Sequence, residues 1–208
     1  MSKILLMGPQ GAGKGTVAAI LKDKLDIPHI SMGDIFRDTV KSNSPLGKKL
    51  QEIMSKGELV PLEITSQMLR ERLSQPDCKK GYLLDGYPRN LEQAEVLDAI
   101  EEVDKVVVLE VPRKISIERL TSRIQCKQCG AVFNLKSMPP KKQGICDLCG
   151  GTLYQRDDDK EQAIIKSLEI YEEETIPLKK RYASKVLEIN TAEKSVDEVY
   201  QALISSLN

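Results

Sequence analysis

The sequence predicts an α/β fold, a five-stranded parallel sheet with helices on both faces, and three observations carry that prediction. Apolar segments of strand length, beginning at Ile4, Pro28, Tyr82, Lys105 and Val186, recur along the whole chain. Amphipathic helical stretches alternate with them, the pattern of parallel crossovers rather than of hairpins. The first strand, Ile4-Leu5-Leu6-Met7, runs directly into a glycine-rich loop and a helix, an arrangement that presents ligands at the carboxyl ends of a parallel sheet. At 208 residues the chain can bury a full core as one domain, with or without insertions.

The loop is Gly8-Pro9-Gln10-Gly11-Ala12-Gly13-Lys14-Gly15-Thr16, and a helical run from Val17 to Leu25 follows it. Gly8-x4-Gly13-Lys14 with a hydroxyl residue behind it is the phosphate-binding pattern. Glycines let successive backbone N–H groups turn inward around an anion, and the helix start adds the positive end of its dipole. Lys14 is expected to reach the outer phosphates. Thr16, one place later than in the commonest version, is expected to supply the hydroxyl for Mg²⁺. A dinucleotide fingerprint fits less well, because Gly11, Gly13 and Gly15 alternate and leave the lysine without a task. A plain flexible turn does not account for the strand–loop–helix context.

The remaining elements follow in order. Ile27 to Ile30 reads as the second strand, and His29 within it as a tolerated, partly buried histidine. Ile35, Phe36, Arg37 and Val40 open a helix; Ser44-Pro45 interrupts it; Leu46, Leu50, Ile53 and Met54 resume the period until Gly57. This excursion between two core strands reads as an inserted helical piece. Ile64, Met68, Leu69 and Leu73 give a further amphipathic helix. Gly81-Tyr82-Leu83-Leu84-Asp85-Gly86 then reads as a buried strand ending in a carboxylate. An acid at that end, beside a phosphate loop, can hold Mg²⁺ directly or through water; the alternative is an aspartate that only forms the turn before Gly86. Arg89 stands just beyond the same edge, where a guanidinium suits bidentate phosphate contact.

Leu91 to Ile100 is predicted as a helix and Val103 to Val111 as the segment carrying the next strand. Ile115, Ile117 and Leu120 lead a helix on which Arg119 and Arg123, one turn apart, are expected to share a face. Cys126-x2-Cys129 and Cys146-x2-Cys149, with sixteen residues between the pairs, have the spacing of a four-thiolate zinc site on two knuckles, Gly130 and Gly150 relieving the turns. Sulfur would fill all four positions, so the zinc is expected to be structural. Cys78 stands alone and reads as a bystander. Asp157-Asp158-Asp159 can complement a helix N-terminus. Ala163 to Tyr171 is expected to be helical, Val186 to Ile189 a last strand, and Val196 to Leu207 a closing amphipathic helix.

Composition narrows the function classes. Lys and Arg together number 31, as do Asp and Glu, so no global field draws nucleic acid or an acidic membrane. No apolar run approaches the roughly 20 residues that span a bilayer. The opening residues enter a strand without a signal-peptide pattern, so a cytoplasmic location is expected. Cysteine in such a chain favours metal over disulfides.

Together, Gly-x-x-Gly-x-Gly-Lys-Gly-Thr, Ile30-Ser31-x-Gly33-Asp34-x-x-Arg37, and Leu84-Asp85-Gly86-Tyr87-Pro88-Arg89 with Gln93 behind it resemble the adenylate kinase family of nucleoside monophosphate kinases. The four-cysteine insert and Tyr154-Gln155-Arg156-x-Asp158-Asp159 look like its long form with a zinc-bearing lid, and the similarity runs the length of the chain. The resemblance implies a P-loop NTPase-type core domain over 1–30, 61–124 and 160–208, a helical NMP-binding subdomain over 31–60 and a zinc-bearing lid over 125–159. It implies reversible Mg²⁺-dependent phosphoryl transfer from ATP to AMP, giving two ADP. Lys14, Asp85, Arg89, Arg123 and Arg156 would carry the catalysis, Asp85 by helping to place Mg²⁺. ATP would meet Gly11, Ala12, Gly13, Lys14, Gly15 and Thr16, with Arg119, Arg123, Val132 and Phe133. AMP would meet Met32, Arg37, Glu58, Leu59, Val60, Gly86, Arg89, Gln93 and Arg156. Asp158 and Asp159 match carboxylates used in lid closure, and Cys126, Cys129, Cys146 and Cys149 would hold one Zn²⁺.

Two departures stand out. The family has threonine where this chain has Met32, which opens the alternative of a broader monophosphate specificity. It has arginine where this chain has Ser167, behind Ile164 and Ile165, and that stretch is expected to form an apolar strip; the family implies a monomer, the strip self-association. A rival reading is a nucleotide-regulated protein whose zinc ribbon touches nucleic acid or a partner through Lys136, Lys141 and Lys142. Balanced charge and the Arg37/Arg89 pair oppose it, since a switch needs no acceptor clamp; the partners expected are ATP and AMP, with no nucleic acid and no membrane.

Overall fold

A computed structural model describes residues 2–192 and 194–207. β1 (Ser2–Met7) leads through the glycine loop into α1 (Lys14–Leu25). β2 (His29–Ser31), α2 (Met32–Lys41), α3 (Pro45–Ser55) and α4 (Leu62–Leu73) follow. Next come β3 (Gly81–Asp85), α5 (Leu91–Ile100), β4 (Lys105–Glu110) and α6 (Arg113–Thr121). Three short strands, β5 (Arg123–Cys126), β6 (Val132–Asn134) and β7 (Leu153–Tyr154), precede α7 (Glu161–Ile170). A π-helical turn over Tyr171–Thr175 continues α7, and α8 (Leu178–Arg181), β8 (Val186–Asn190) and α9 (Val196–Leu207) complete the described chain.

β1, β2, β3, β4 and β8 form the expected parallel sheet, in the order β2-β3-β1-β4-β8. The near-continuous apolar runs of β1 and β4 suit strands covered on both faces. Alternate residues go to opposite sides: Leu5, Met7, Leu84, Val106 and Val108 pack into one core with Phe36, Leu50 and Leu69. Ile4, Leu6, Leu83, Val107 and Leu109 pack into the other with Val17, Leu21 and Leu203. Burying each such side chain contributes about 1.5–3 kcal/mol before chain entropy is set against it. β1 is central, and the register pairs Leu6 with Asp85 and Asp85 with Ser31. The ends of β1, β2 and β3 therefore open at one edge, and whatever follows them shares a site.

Helix starts at that edge are fixed by caps. Ser31 Oγ accepts from the Asp34 N–H at 3.2 Å at the head of α2, and Asn90 Oδ1 from the Gln93 N–H at 3.0 Å at the head of α5. Ser44 does the same for Gly47 at 3.1 Å, with Pro45 opening α3. Each cap is worth about 1 kcal/mol.

Two expectations need correction. α6 ends at Thr121 and Arg123 starts β5, so Arg119 and Arg123 do not share a helical face. The register Arg123↔Asn134 and Gln125↔Tyr154 shows why, because strands on both sides take the backbone bonds that a continued helix would use. Nor do Ile164, Ile165 and Ser167 form an exposed strip. Ile164 is 0% exposed against Leu120 and Leu168, and Ser167 is buried; only Ile165 is partly open. The physical basis for self-association through that strip is gone. Cys78 is buried near Arg72, whose Nη1 lies 2.9 Å from its sulfur.

β5, β6 and β7 form a separate antiparallel sheet. Its core is only Cys126, Phe133, Cys146 and Leu153, with Ile124 and Ala131 packed against them. No helix among the described residues is long and apolar enough to cross a membrane.

Candidate active site

The glycine loop turns at the carboxyl end of β1. A Cβ on Gly8, at φ +140°, would stand 2.4 Å from the Leu109 carbonyl oxygen, so the loop can lie against β4 only with glycine there. Gly13, at φ +92°, caps α1, and Lys14 is the helix's first residue. Its Nζ donates to the carbonyls of Gly8 and Pro9, each at 2.9 Å. Gly15 and Thr16 are exposed at the helix head. Burial pushes the Lys14 ammonium down to about 8; Asp85 opposes the shift, while Arg89 and Arg123 add to it.

Asp85 ends β3 beside the loop. Burial alone would raise its carboxyl, yet His29, Lys14 and Arg89 hold it below the ordinary carboxylate range. His29 is thus no remote bystander: its Nε2 lies 3.6 Å from Asp85 Oδ2. Sequence spacing could not show this, because the contact depends on β2 pairing with β3. Past Gly86 and the cis Tyr87–Pro88 bond, Arg89 is tied down three ways. Its Nε donates to the Gly86 carbonyl at 3.1 Å, its N–H to Gln93 Oε1 at 2.9 Å, and its carbonyl accepts from the Thr175 hydroxyl at 2.7 Å. Gln93 is buried and so braces the arginine that the sequence set beside it.

Arg37, on α2, pairs with Asp34 at 2.7 Å and with Asp158 at 3.8 Å, the second contact reaching the segment after β7. Arg123 makes a two-pronged pair with Asp159: Nε to Oδ2 at 2.9 Å and Nη2 to Oδ1 at 2.5 Å. Arg156 donates to Gln125 Oε1 at 2.6 Å. Burial first, then the charges of Arg123 and Arg37, push its guanidinium down to about 10. Like charges are thus crowded together in a buried setting, a cost that an anion would relieve. Arg119 goes elsewhere, clamping the loop to β8: Nη1 donates to the Gly11 carbonyl at 3.2 Å and Nη2 to the Thr191 carbonyl at 2.8 Å.

The expected acceptor residues split. Met32 is 0% exposed, among Phe36, Leu50 and Val60. Glu58 is exposed and Leu59 half-buried. The Val60 carbonyl already accepts from the Thr65 hydroxyl at 3.0 Å. Of the pair expected at the donor nucleotide, Val132 is 43% exposed, whereas the Phe133 side chain packs in the small sheet's own core. Lys136, one of the lysines behind the rival reading, pairs with Glu118 at 2.9 Å. Gln10 and Ser167 face a cavity with Lys14, Gly86 and Arg89. Sequence reasoning missed Gln10, because what marks it is a buried side-chain oxygen without a partner.

The four cysteine sulfurs all lie within 4.8 Å of one another, Cys126–Cys149 at 3.5 Å and Cys129–Cys146 at 3.6 Å. Tetrahedral thiolates at a Zn–S distance of about 2.3 Å stand about 3.8 Å apart, so this donor set fits zinc. The two turns pass through Gly130 and Gly150 at φ +75° and +73°.

A protein-family model described as adenylate kinase matches residues 6–187. The adenylate kinase of Carboxydothermus hydrogenoformans is 50% identical over 211 aligned positions, covering 99% of each chain. That of Caldanaerobacter subterraneus is 46% identical, over 99% of this chain and 96% of its own. That of Clostridium tetani is 43% identical, over 98% and 97%.

Proposed function

The chain belongs to the adenylate kinase family and is an ATP:AMP phosphotransferase, and from that premise we propose how its own residues divide the work. The observation that carries the proposal is the convergence of Lys14, Arg37, Arg89, Arg123 and Arg156 at the edge where β1 and β3 end. Phosphoryl transfer asks a protein for positioning and for neutralisation of spreading charge, with little covalent work.

On this reading the loop from Gly11 to Thr16 wraps the donor phosphates with backbone N–H groups, and Lys14 leaves the Gly8 and Pro9 carbonyls for the outer phosphates. Arg119 holds the loop in shape through Gly11, beside the donor it is expected to meet. Arg37 and Arg89 hold the acceptor phosphate, with Gln93 fixing the Arg89 backbone. Arg123 and Arg156 face the transferring group from above, Arg123 oriented by Asp159. Asp158 joins Arg37 to the far side of the cleft, and closure there excludes the water that would otherwise take the phosphoryl group. Adenylate kinases use Mg²⁺ with ATP; Asp85 and Thr16 are the residues suited to hold it, Asp85 because its neighbours keep it ionised. Held there, the ion would supply positive charge to offset that of the phosphates. We assign 31–60 as the acceptor subdomain, 125–159 as a lid held by one structural Zn²⁺ on Cys126, Cys129, Cys146 and Cys149, and the rest as the core.

The division is tested by Arg37→Ala. Removing a charge-assisted contact worth about 1.5–3 kcal/mol should raise KM for AMP about ten- to a hundredfold and leave KM for ATP within twofold. An equal rise in both would contradict the assignment.

Specificity is tested at Met32. A threonine there could add a neutral hydrogen bond to the acceptor base, worth about 0.5–1.5 kcal/mol, or up to about tenfold in discrimination. Methionine offers an apolar wall instead. Met32→Thr should therefore widen the margin of AMP over CMP, UMP and GMP in kcat/KM. Because the side chain is wholly buried, the variant should also melt lower. An unchanged AMP preference would remove Met32 from the specificity residues.

A further inference from the structure

Gln10 lies between Gly8 and Gly11 in the loop, and its Oε1 is buried with no hydrogen-bond partner. A buried carboxamide oxygen left idle is destabilising, and in this half-buried side chain oxygen and nitrogen exchange places by rotation about the last side-chain bond. A ligand that used the group would relieve that cost. The cavity it lines includes two cations, Lys14 and Arg89, and no carboxylate, and Ser167 brings only a hydroxyl from α7. On a wall otherwise largely apolar (Leu6, Met7, Pro88, Ile170), these two cations are the groups suited to a small anion.

We propose that Gln10 contacts phosphate, its Nε2–H donating to a non-bridging oxygen of the phosphoryl group as that group passes from donor to acceptor. This rests on the reading of Lys14 and Arg89 as phosphate-binding residues. It extends that reading from the loop's backbone to a side chain of the loop. An interaction formed with the group in flight acts on kcat rather than on KM.

The experiment measures ADP formation from ATP and AMP, with melting temperatures, for wild type, Gln10→Ala, Gln10→Glu and Lys14→Met. Gln10→Ala should lower kcat about tenfold, with both KM values within twofold and a melting temperature at or above that of the wild type. Gln10→Glu keeps the shape but sets a carboxylate against phosphate, and should lower kcat further, about a hundredfold relative to wild type. If both Gln10 variants turn over within twofold of wild type while Lys14→Met is inactive, Gln10 does not touch phosphate and the loop reading stands. If Glu and Ala have equal effects, the position matters for packing alone and the proposal falls. If Lys14→Met is also active, the loop reading itself has failed.

Discussion

Lys14→Met is expected to lower kcat by at least 10²–10³-fold while the fold survives. Removing one preorganised donor from a developing anion costs about that much in enzymes, and Lys14 carries a full charge. The structure separates this from misfolding. Among the described residues the Lys14 side chain bonds to two loop carbonyls alone, and burial pulls its ammonium down to about 8 from its ordinary 10.5. An unfolded chain would bind that proton more tightly than the folded one. Stability linked to Lys14 therefore rises with pH between about 8 and 10.5, and at neutral pH the charged lysine opposes folding. Methionine removes that opposition, so the variant should melt at the wild-type temperature or above it. In the wild type, kcat/KM for ATP should fall as pH rises through about 8, because that ratio reports groups of the free enzyme. A variant within a few-fold of wild-type turnover would remove Lys14 from the phosphate site.

Removing the metal is expected to have the second-largest effect. The small sheet has almost no apolar core, and in such modules metal-binding energy is folding energy. One zinc per chain is expected by metal analysis. Chelation, or Cys146→Ser, should lower the melting temperature by about 10 °C, equivalent to a few kcal/mol for a chain of this size. Activity should fall with it, since Arg123 starts β5 and Arg156 follows β7. A metal-free protein with an unchanged melting temperature would contradict the structural role.

What could be read from the sequence follows physical locality. β1 and β4 were legible because strands buried on both faces are continuous apolar runs. The loop was legible because its backbone geometry demands particular residues at particular places. Arg123 was misplaced because its strand exists only through pairing with residues 132–134 and 153–154, and nothing local to it ends the helical period. The inward face of Ile164 and Ser167 depends on how α7 packs on α6, and hydrophobic identity does not reveal a direction. The contact of His29 with Asp85 likewise depends on a strand pairing across more than fifty residues. Gln10 has no propensity signature at all. What marks it is an unsatisfied buried atom, a property only of the folded chain.

The most direct test of the central claim, that these residues form a two-substrate phosphoryl-transfer site, is a stoichiometric assay of the purified chain with Mg²⁺, ATP and AMP. Two ADP should appear for each AMP consumed, the reverse reaction should run from ADP alone, and ATP without AMP should yield almost nothing, because closure excludes water. ADP release from ATP at a similar rate without AMP, or no dependence on AMP at all, would contradict it.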